Sequence, residues 1–138
     1  MSTAKYPLAL WFFCCLAVAA FAGDSGSQKP EDSRVKHVDP NEAQKLIAEK
    51  KVIVLDIRTP KEFKSVHIAG ATNIDFLASD FEARIDNLDT NKTYLVHCAS
   101  GGRSTHSLPV FQKHHFESLY HLDGGIKAWE KAGLPVEK

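Results

Sequence analysis

Net charge, cysteine, methionine and long apolar runs are all scarce in this sequence. Its 138 residues carry 17 Lys and Arg against 17 Asp and Glu, with three cysteines, one methionine and two tryptophans. A chain without net charge is excluded from broad electrostatic attachment to nucleic acid or anionic lipid as its main business. Three cysteines are too few for a disulfide scaffold. No Cys/His pair has zinc-finger spacing, and adjacent His114 and His115 point different ways on a helix, so no metal is expected. No apolar stretch reaches the roughly 20 residues of a membrane span. What is present is ordinary: 43% hydrophobic and 25% charged residues, as in a folded protein of one domain.

The longest apolar run, the 13 residues from Leu8 to Ala20, follows a single charge at Lys5 and leads into Ala20-Phe21-Ala22-Gly23. Small residues at Ala20 and Ala22 are what a signal peptidase reads, so residues 1–22 are expected to be a secretory signal cleaved after Ala22. Bulky Phe12 and Phe13 ahead of Cys14 argue against a lipoprotein, and no arginine pair marks a twin-arginine route. In a bacterial host the expected location is the periplasm, with no membrane attachment once the signal is gone. Cleavage removes Lys5, Cys14 and Cys15, leaving 16 basic against 17 acidic side chains and one cysteine, Cys98. A lone cysteine in an oxidising compartment is either a buried hydrophobe or a free reactive thiol.

Asp24 to Arg34 mixes Gly, Ser, Pro and charges without period, so 23–34 reads as a flexible leader and 35–138 as the folded domain. Asp39-Pro40-Asn41-Glu42 supplies an N-cap, a proline at N1 and an acid at N3, predicting a helix from Pro40 to Glu49. Val52 to Leu55 is a β-branched and leucine run suited to a strand buried on both faces. Thr59-Pro60-Lys61-Glu62 repeats the capping pattern and opens a short helix. Ala71 to Ile74 is a brief strand, and Ser79-Asp80-Phe81-Glu82 caps a helix carrying Phe81, Ile85 and Leu88. Thr93 to His97 and Leu119 to Leu122 are further strands. Helices are expected from Arg103 to His114, bent or shortened by Pro109, and from Ile126 to Lys131, ended by Gly133 and Pro135. This alternation predicts an α/β fold: a central, mainly parallel sheet of about five strands, helices on both faces, and function at the carboxyl ends of the strands.

His97-Cys98-Ala99-Ser100-Gly101-Gly102-Arg103-Ser104 joins such a strand to a helix. Gly101 and Gly102 let the backbone curl with its N–H groups inward, forming a concave anion site. The following helix adds the positive end of its dipole, and Arg103 a fixed positive charge. A sulfur at the base of that cradle is stabilised as thiolate, the nucleophilic form, and the same donors suit a persulfide.

These residues resemble the active-site loop of the rhodanese family of sulfurtransferases, Cys-x-x-Gly-x-Arg-Ser. The resemblance runs from about Val38 to Pro135. Asp56-Ile57-Arg58 with Glu62-Phe63 is similar to the family's Asp-x-Arg…Glu-Phe segment, and His67-Ile68-Ala69-Gly70-Ala71-Thr72-Asn73-Ile74 to its His-Ile-x-Gly-Ala-x-Asn-Ile. Leu122-Asp123-Gly124-Gly125 with Trp129 matches Leu-x-Gly-Gly-x-x-x-Trp. Two positions depart: Val66 and His115 stand where members usually or often carry glycine. The resemblance implies a rhodanese-like fold and a sulfur-transfer cycle. Cys98 thiolate takes a sulfane sulfur from a small anionic donor such as thiosulfate, and a thiol or cyanide removes it. Amides from Ala99 to Arg103 hold the persulfide, beside Ser104, and Arg103 attracts the donor and neutralises leaving sulfite. No cofactor is implied.

Asp56 and Arg58 are expected to pair and brace the loop, since ion-pair networks perturb acidity without doing chemistry. His67 reads as a supporting loop histidine, His97 as structural because alternation turns it away from Cys98, and Trp129 as a core anchor. Asp123, Gly124 and Gly125 form a turn and helix start at one wall of the pocket. One rival is a phosphatase or arsenate reductase, because His97-Cys98 followed by Arg103 resembles the tyrosine-phosphatase loop. The four residues between Cys98 and Arg103 are one fewer than that loop has, leaving less room for a tetrahedral oxyanion. Another class is a binding module, or a persulfide carrier for a protein acceptor; retention of Cys98 argues against a module without chemistry.

Overall fold

The computed structural model describes residues 34–138, so the expected signal peptide and all but the last residue of the leader lie outside the described residues. The elements run β1 (Val35–Val38), α1 (Pro40–Ala48), β2 (Ile53–Asp56), α2 (Pro60–Ser65), β3 (His67–Ile68), β4 (Thr72–Asn73), α3 (Phe81–Asp86), β5 (Tyr94–His97), α4 (Gly102–Lys113), β6 (Leu119–Leu122), α5 (Gly125–Lys131) and β7 (Val136–Glu137). Five strands form one parallel sheet in the order β1-β6-β5-β2-β4. The remaining pair, β3 and β7, is a short antiparallel ladder joining Ile68 to Val136.

Helices cover both faces of the sheet, as the alternation predicts. Phe81 and Ile85 of α3 and Phe111 of α4 gather with Leu55, Val96 and Leu119 on one side. Ala43 of α1 and Ile126 and Trp129 of α5 gather with Val54, Leu95 and Leu122 on the other. Burial of each large side chain contributes about 2 kcal/mol, and Trp129 also donates its indole N–H to the Pro135 carbonyl at 2.9 Å.

Local chemistry explains the helix starts. The Asp39 carboxylate accepts from the Glu42 amide at 2.9 Å with Pro40 at the first turn. Thr59 and Glu62 close a reciprocal capping box at α2. The Ser79-Asp80-Phe81-Glu82 pattern does not do the same: Asp80, not Ser79, takes the N-cap position of α3, it makes no side-chain cap bond, and the helix ends before Leu88. Helix α4 is not shortened by Pro109 but continues to Lys113. The carbonyl that Pro109 leaves without an amide donor belongs to Thr105, an exposed residue, where solvent is at hand to satisfy it. β1 is not among the predicted strands. Val35-Lys36-His37-Val38 buries only its two ends, so its pattern matches neither alternation nor a continuous apolar run.

The two departures from glycine have different outcomes. Val66 is extended, at φ −166°, which any residue adopts, and it packs on the core. His115 takes the left-handed conformation itself, at φ 58°, at a cost of roughly 1–2 kcal/mol for a side chain with a Cβ.

Candidate active site

Cys98 is the first residue beyond β5, the strand buried along its whole length. Its sulfur lies at the base of the turn into α4 and the residue is only 1% exposed. The Gly101 amide donates to Sγ at 3.2 Å and the Ser104 hydroxyl lies 3.4 Å away. Burial pushes the thiol pKa up. The Ser104 hydroxyl and the amides of Ser104, Gly101 and Ser100 outweigh it, and the net direction is down. Gly101 makes this possible at φ 106°, a backbone state closed to other residues.

The turn is held open by the second helix that meets it. The first amides of α5 bind the carbonyls of the loop, Ile126 to Cys98 at 3.0 Å and Lys127 to Ala99 at 3.1 Å. Those carbonyls therefore point at α5, which leaves the loop's own amides to line the sulfur. The approach requires Gly125: a Cβ there would sit 2.5 Å from the Cys98 carbonyl oxygen, and its φ is 58°. Gly124 is constrained similarly, with a virtual Cβ 2.6 Å from the Ala128 side chain. Gly125 thus stands directly against the Cys98 loop, and Gly124 opens the helix that meets it.

Asp56 and Arg58 form a buried ion pair, 0% and 4% exposed, joined by Arg58 Nη2 to Asp56 Oδ2 at 2.6 Å and by Nε to both oxygens. Arg58 also donates to the Val66 carbonyl, while the Asn73 amide caps the carbonyls of Asp56 and Arg58. Because Asp56 stands opposite His97 in the sheet, this knot braces the strand end that delivers Cys98. His97 is buried, bonded through Nδ1 to the Cys98 carbonyl rather than to the sulfur. His67 stacks on Phe63 and faces Glu137 at 3.6 Å; its partners lie outside the Cys98 loop.

A family model for the rhodanese-like domain matches residues 39–132. The chain belongs to the rhodanese family. It is 33% identical to the thiosulfate sulfurtransferase GlpE of Vibrio cholerae over 73% of this chain and 93% of that protein. It is 29% identical to the chloroplastic rhodanese-like domain-containing protein 14 of Arabidopsis thaliana, over 77% of this chain and 66% of that protein. Among solved structures, a rhodanese-related protein from Thermoplasma volcanium superposes with a TM-score of 0.67 at 28% identity, covering 74% of this chain and 97% of that one.

Within this rhodanese fold, two features escape the sequence reading. Arg103 is not a free positive charge: Glu62, at the start of α2, grips it through both oxygens at 2.7 and 2.9 Å. The Arg103 hydrogen bonds, opposed by burial and joined by those from Thr59, hold the Glu62 carboxyl at about 2. Glu62 lies within the Glu-Phe segment of the resemblance, yet nothing in its sequence position reveals its partner 41 residues away. The second feature is His121 on β6, buried, with Nε2 2.8 Å from the Ser104 hydroxyl. Its Nδ1 lies 3.0 Å from Asp123 Oδ1, which also meets His37 Nδ1 at 2.7 Å. The three side chains form a hydrogen-bonded cluster in which both rings share one carboxylate oxygen.

Proposed function

We propose that this protein moves a sulfane sulfur from a thiosulfate-type donor to a thiophilic acceptor, cyanide or a thiol, small or protein-borne, through a persulfide on Cys98. The observation that carries the reading is the sulfur itself, buried at the focus of the Ser100, Gly101 and Ser104 donors that favour its ionised form. The Cys98 thiolate attacks the outer sulfur of thiosulfate. A new S–S bond forms, and the bond between the donor's two sulfurs breaks with its electron pair on departing sulfite. The persulfide anion then occupies the cradle of amides that held the thiolate. Cyanide attacks its outer sulfur, the Cys98 S–S bond breaks, thiocyanate leaves, and the thiolate returns. These steps ask only for anion stabilisation and ask nothing of a redox partner.

Intact mass tests the reading. Incubation with thiosulfate is expected to add one sulfur atom to the protein, and cyanide to remove it. An unmodified mass with the thiol titrating as free would overturn the donor and the cycle. The same spectrum reads the N-terminus. The run from Leu8 to Ala20 and the Ala20-Phe21-Ala22 site support export to the periplasm, with a mature chain beginning at Gly23.

The Glu62–Arg103 pair sets donor capture. Glu62→Gln leaves the Arg103 charge uncompensated beside the loop, so KM for thiosulfate is expected to fall by about threefold at low salt, with the gain disappearing as salt is added. Steady-state kinetics across ionic strength checks this; a salt-independent KM equal to wild type would show that the pair's charge is not felt at the sulfur.

A further inference from the structure

A buried thiol that must ionise needs somewhere to send its proton. Cys98 is 1% exposed, and its neighbour His97 offers no exit: Nδ1 is spent on the Cys98 carbonyl, and Nε2 makes no hydrogen bond and faces the buried Asp56 carboxylate at 3.8 Å, away from the sulfur. A continuous line of side chains leads from the sulfur in another direction. Sγ is 3.4 Å from Ser104 Oγ, that oxygen is 2.8 Å from His121 Nε2, and His121 Nδ1 is 3.0 Å from the half-exposed Asp123 carboxylate. Ser104 and His121 are themselves buried, at 0% and 3%.

We propose that His121, held by Asp123, is the proton acceptor for Cys98, reached through the Ser104 hydroxyl. This rests on the reading of Cys98 as the working nucleophile. The step balances without moving a heavy atom. In the thiol state His121 Nδ1–H donates to Asp123 and Nε2 accepts the Ser104 hydroxyl hydrogen. On ionisation the thiol proton passes to Ser104 Oγ while the Ser104 proton passes to Nε2, yielding a thiolate and an imidazolium. Ser104 then donates to sulfur and accepts from Nε2–H, so every partner remains satisfied. Ser104 has one hydrogen, and its three neighbours, Sγ, Nε2 and the Gly101 carbonyl at 3.0 Å, give it a choice that the protonation state decides.

The groups facing His121 are Asp123 at the end of β6, His37 from β1 with ring centroids 4.8 Å apart, Ser104 and Thr105 from α4, and His97 from β5. Arg103 faces the sulfur electrostatically, and Asp56 and Arg58 lie beyond His97. Part burial pushes the Asp123 carboxyl up, but the His37 and His121 rings prevail and lower it, which keeps it ionised as the imidazolium's counter-charge. Burial holds His97 neutral against the pull of Asp56. Of the two histidines near the loop, only His121 reaches the sulfur through a donor. It is a positioning residue in this scheme, acting on Cys98 through Ser104.

The thiolate's ultraviolet absorbance, followed against pH with Cys98→Ser as background, tests the relay without requiring sulfur transfer. His121→Gln and Asp123→Asn are each expected to raise the Cys98 midpoint by about one pH unit, a tenfold loss of thiolate below it. Asp123→Asn keeps the buried ring in place, so it serves where His121→Gln does not fold. Carboxamidomethylation of Cys98 is expected to lower the NMR titration midpoint of the His121 ring, because the thiolate that favours imidazolium is gone. A purely structural His121 would move neither midpoint. Unmoved midpoints in folded Asp123→Asn and in the alkylated protein overturn the relay even if sulfur loads normally; shifted midpoints with no sulfur loading leave the relay standing and remove only the sulfur chemistry.

Discussion

Cys98→Ser is expected to take up no sulfur from thiosulfate and to lose transfer to cyanide by on the order of a thousandfold or more. The reason lies in the atom. The amide cradle lowers the thiol pKa and so favours the thiolate, whereas a serine hydroxyl in the same place stays protonated and has no stable counterpart of the persulfide. The fold should survive the exchange. Serine fits the space, and the Gly101 amide and Ser104 hydroxyl that meet the sulfur can meet an oxygen, so the stability change is expected to be about 1 kcal/mol. Intact mass and a melting curve on the same sample decide the matter. Transfer equal to wild type would sink the mechanism, and so would a persistent cyanide-labile sulfur on the variant.

Arg58→Ala is expected to destabilise the domain by roughly 3–5 kcal/mol, because it strands the fully buried Asp56 carboxylate without its partner. A domain of this size is stable by about 5–15 kcal/mol, so the loss takes a large fraction of the total. Three things go at once: the ion pair, the bond to the Val66 carbonyl that ties the end of α2, and the packing of a side chain that is itself 4% exposed. Asp56→Asn is milder, since an amide still accepts from Arg58, and it should lower stability more than it lowers turnover per folded molecule. Urea unfolding with activity measured on the folded fraction separates the two. A midpoint like wild type's, combined with lost activity, would move Asp56 and Arg58 from bracing to chemistry.

The loop was legible residue by residue because its chemistry is local. Gly101, Gly102 and the helix that follows are neighbours of Cys98 in the chain, and curvature, dipole and amide donors all follow from that adjacency. The capped helices α1 and α2 were equally legible, their signals lying within four residues of one another. Ser79 shows the limit of such signals: with Glu82 three residues on it has the right residue and spacing, yet α3 starts one residue later, with Asp80 at the N-cap position and no side-chain cap. β1 was missed because an edge strand that buries two of its four residues leaves no period to read. Pro109 misled in the opposite sense: its penalty falls on a carbonyl that solvent can satisfy, so the helix passes through it.

The order of the sheet completes the site. Placing β6 beside β5 sets His121 against Val96, one residue before the strand end that carries Cys98, and brings it under Ser104. Placing β2 on the other side of β5 sets Asp56 opposite His97, and α2 then swings Glu62 onto Arg103. The sequence by itself determined the alternating α/β architecture, the cysteine at the strand end, the turn around it and the glycines of the last helix start, because each depends on neighbouring residues or on periodicity along one element. Only the tertiary structure decided that Arg103 is paired and that His121 and Asp123 stand behind Cys98. Those are contacts between side chains 41 and 17 residues apart, and only strand order and helix packing bring them together.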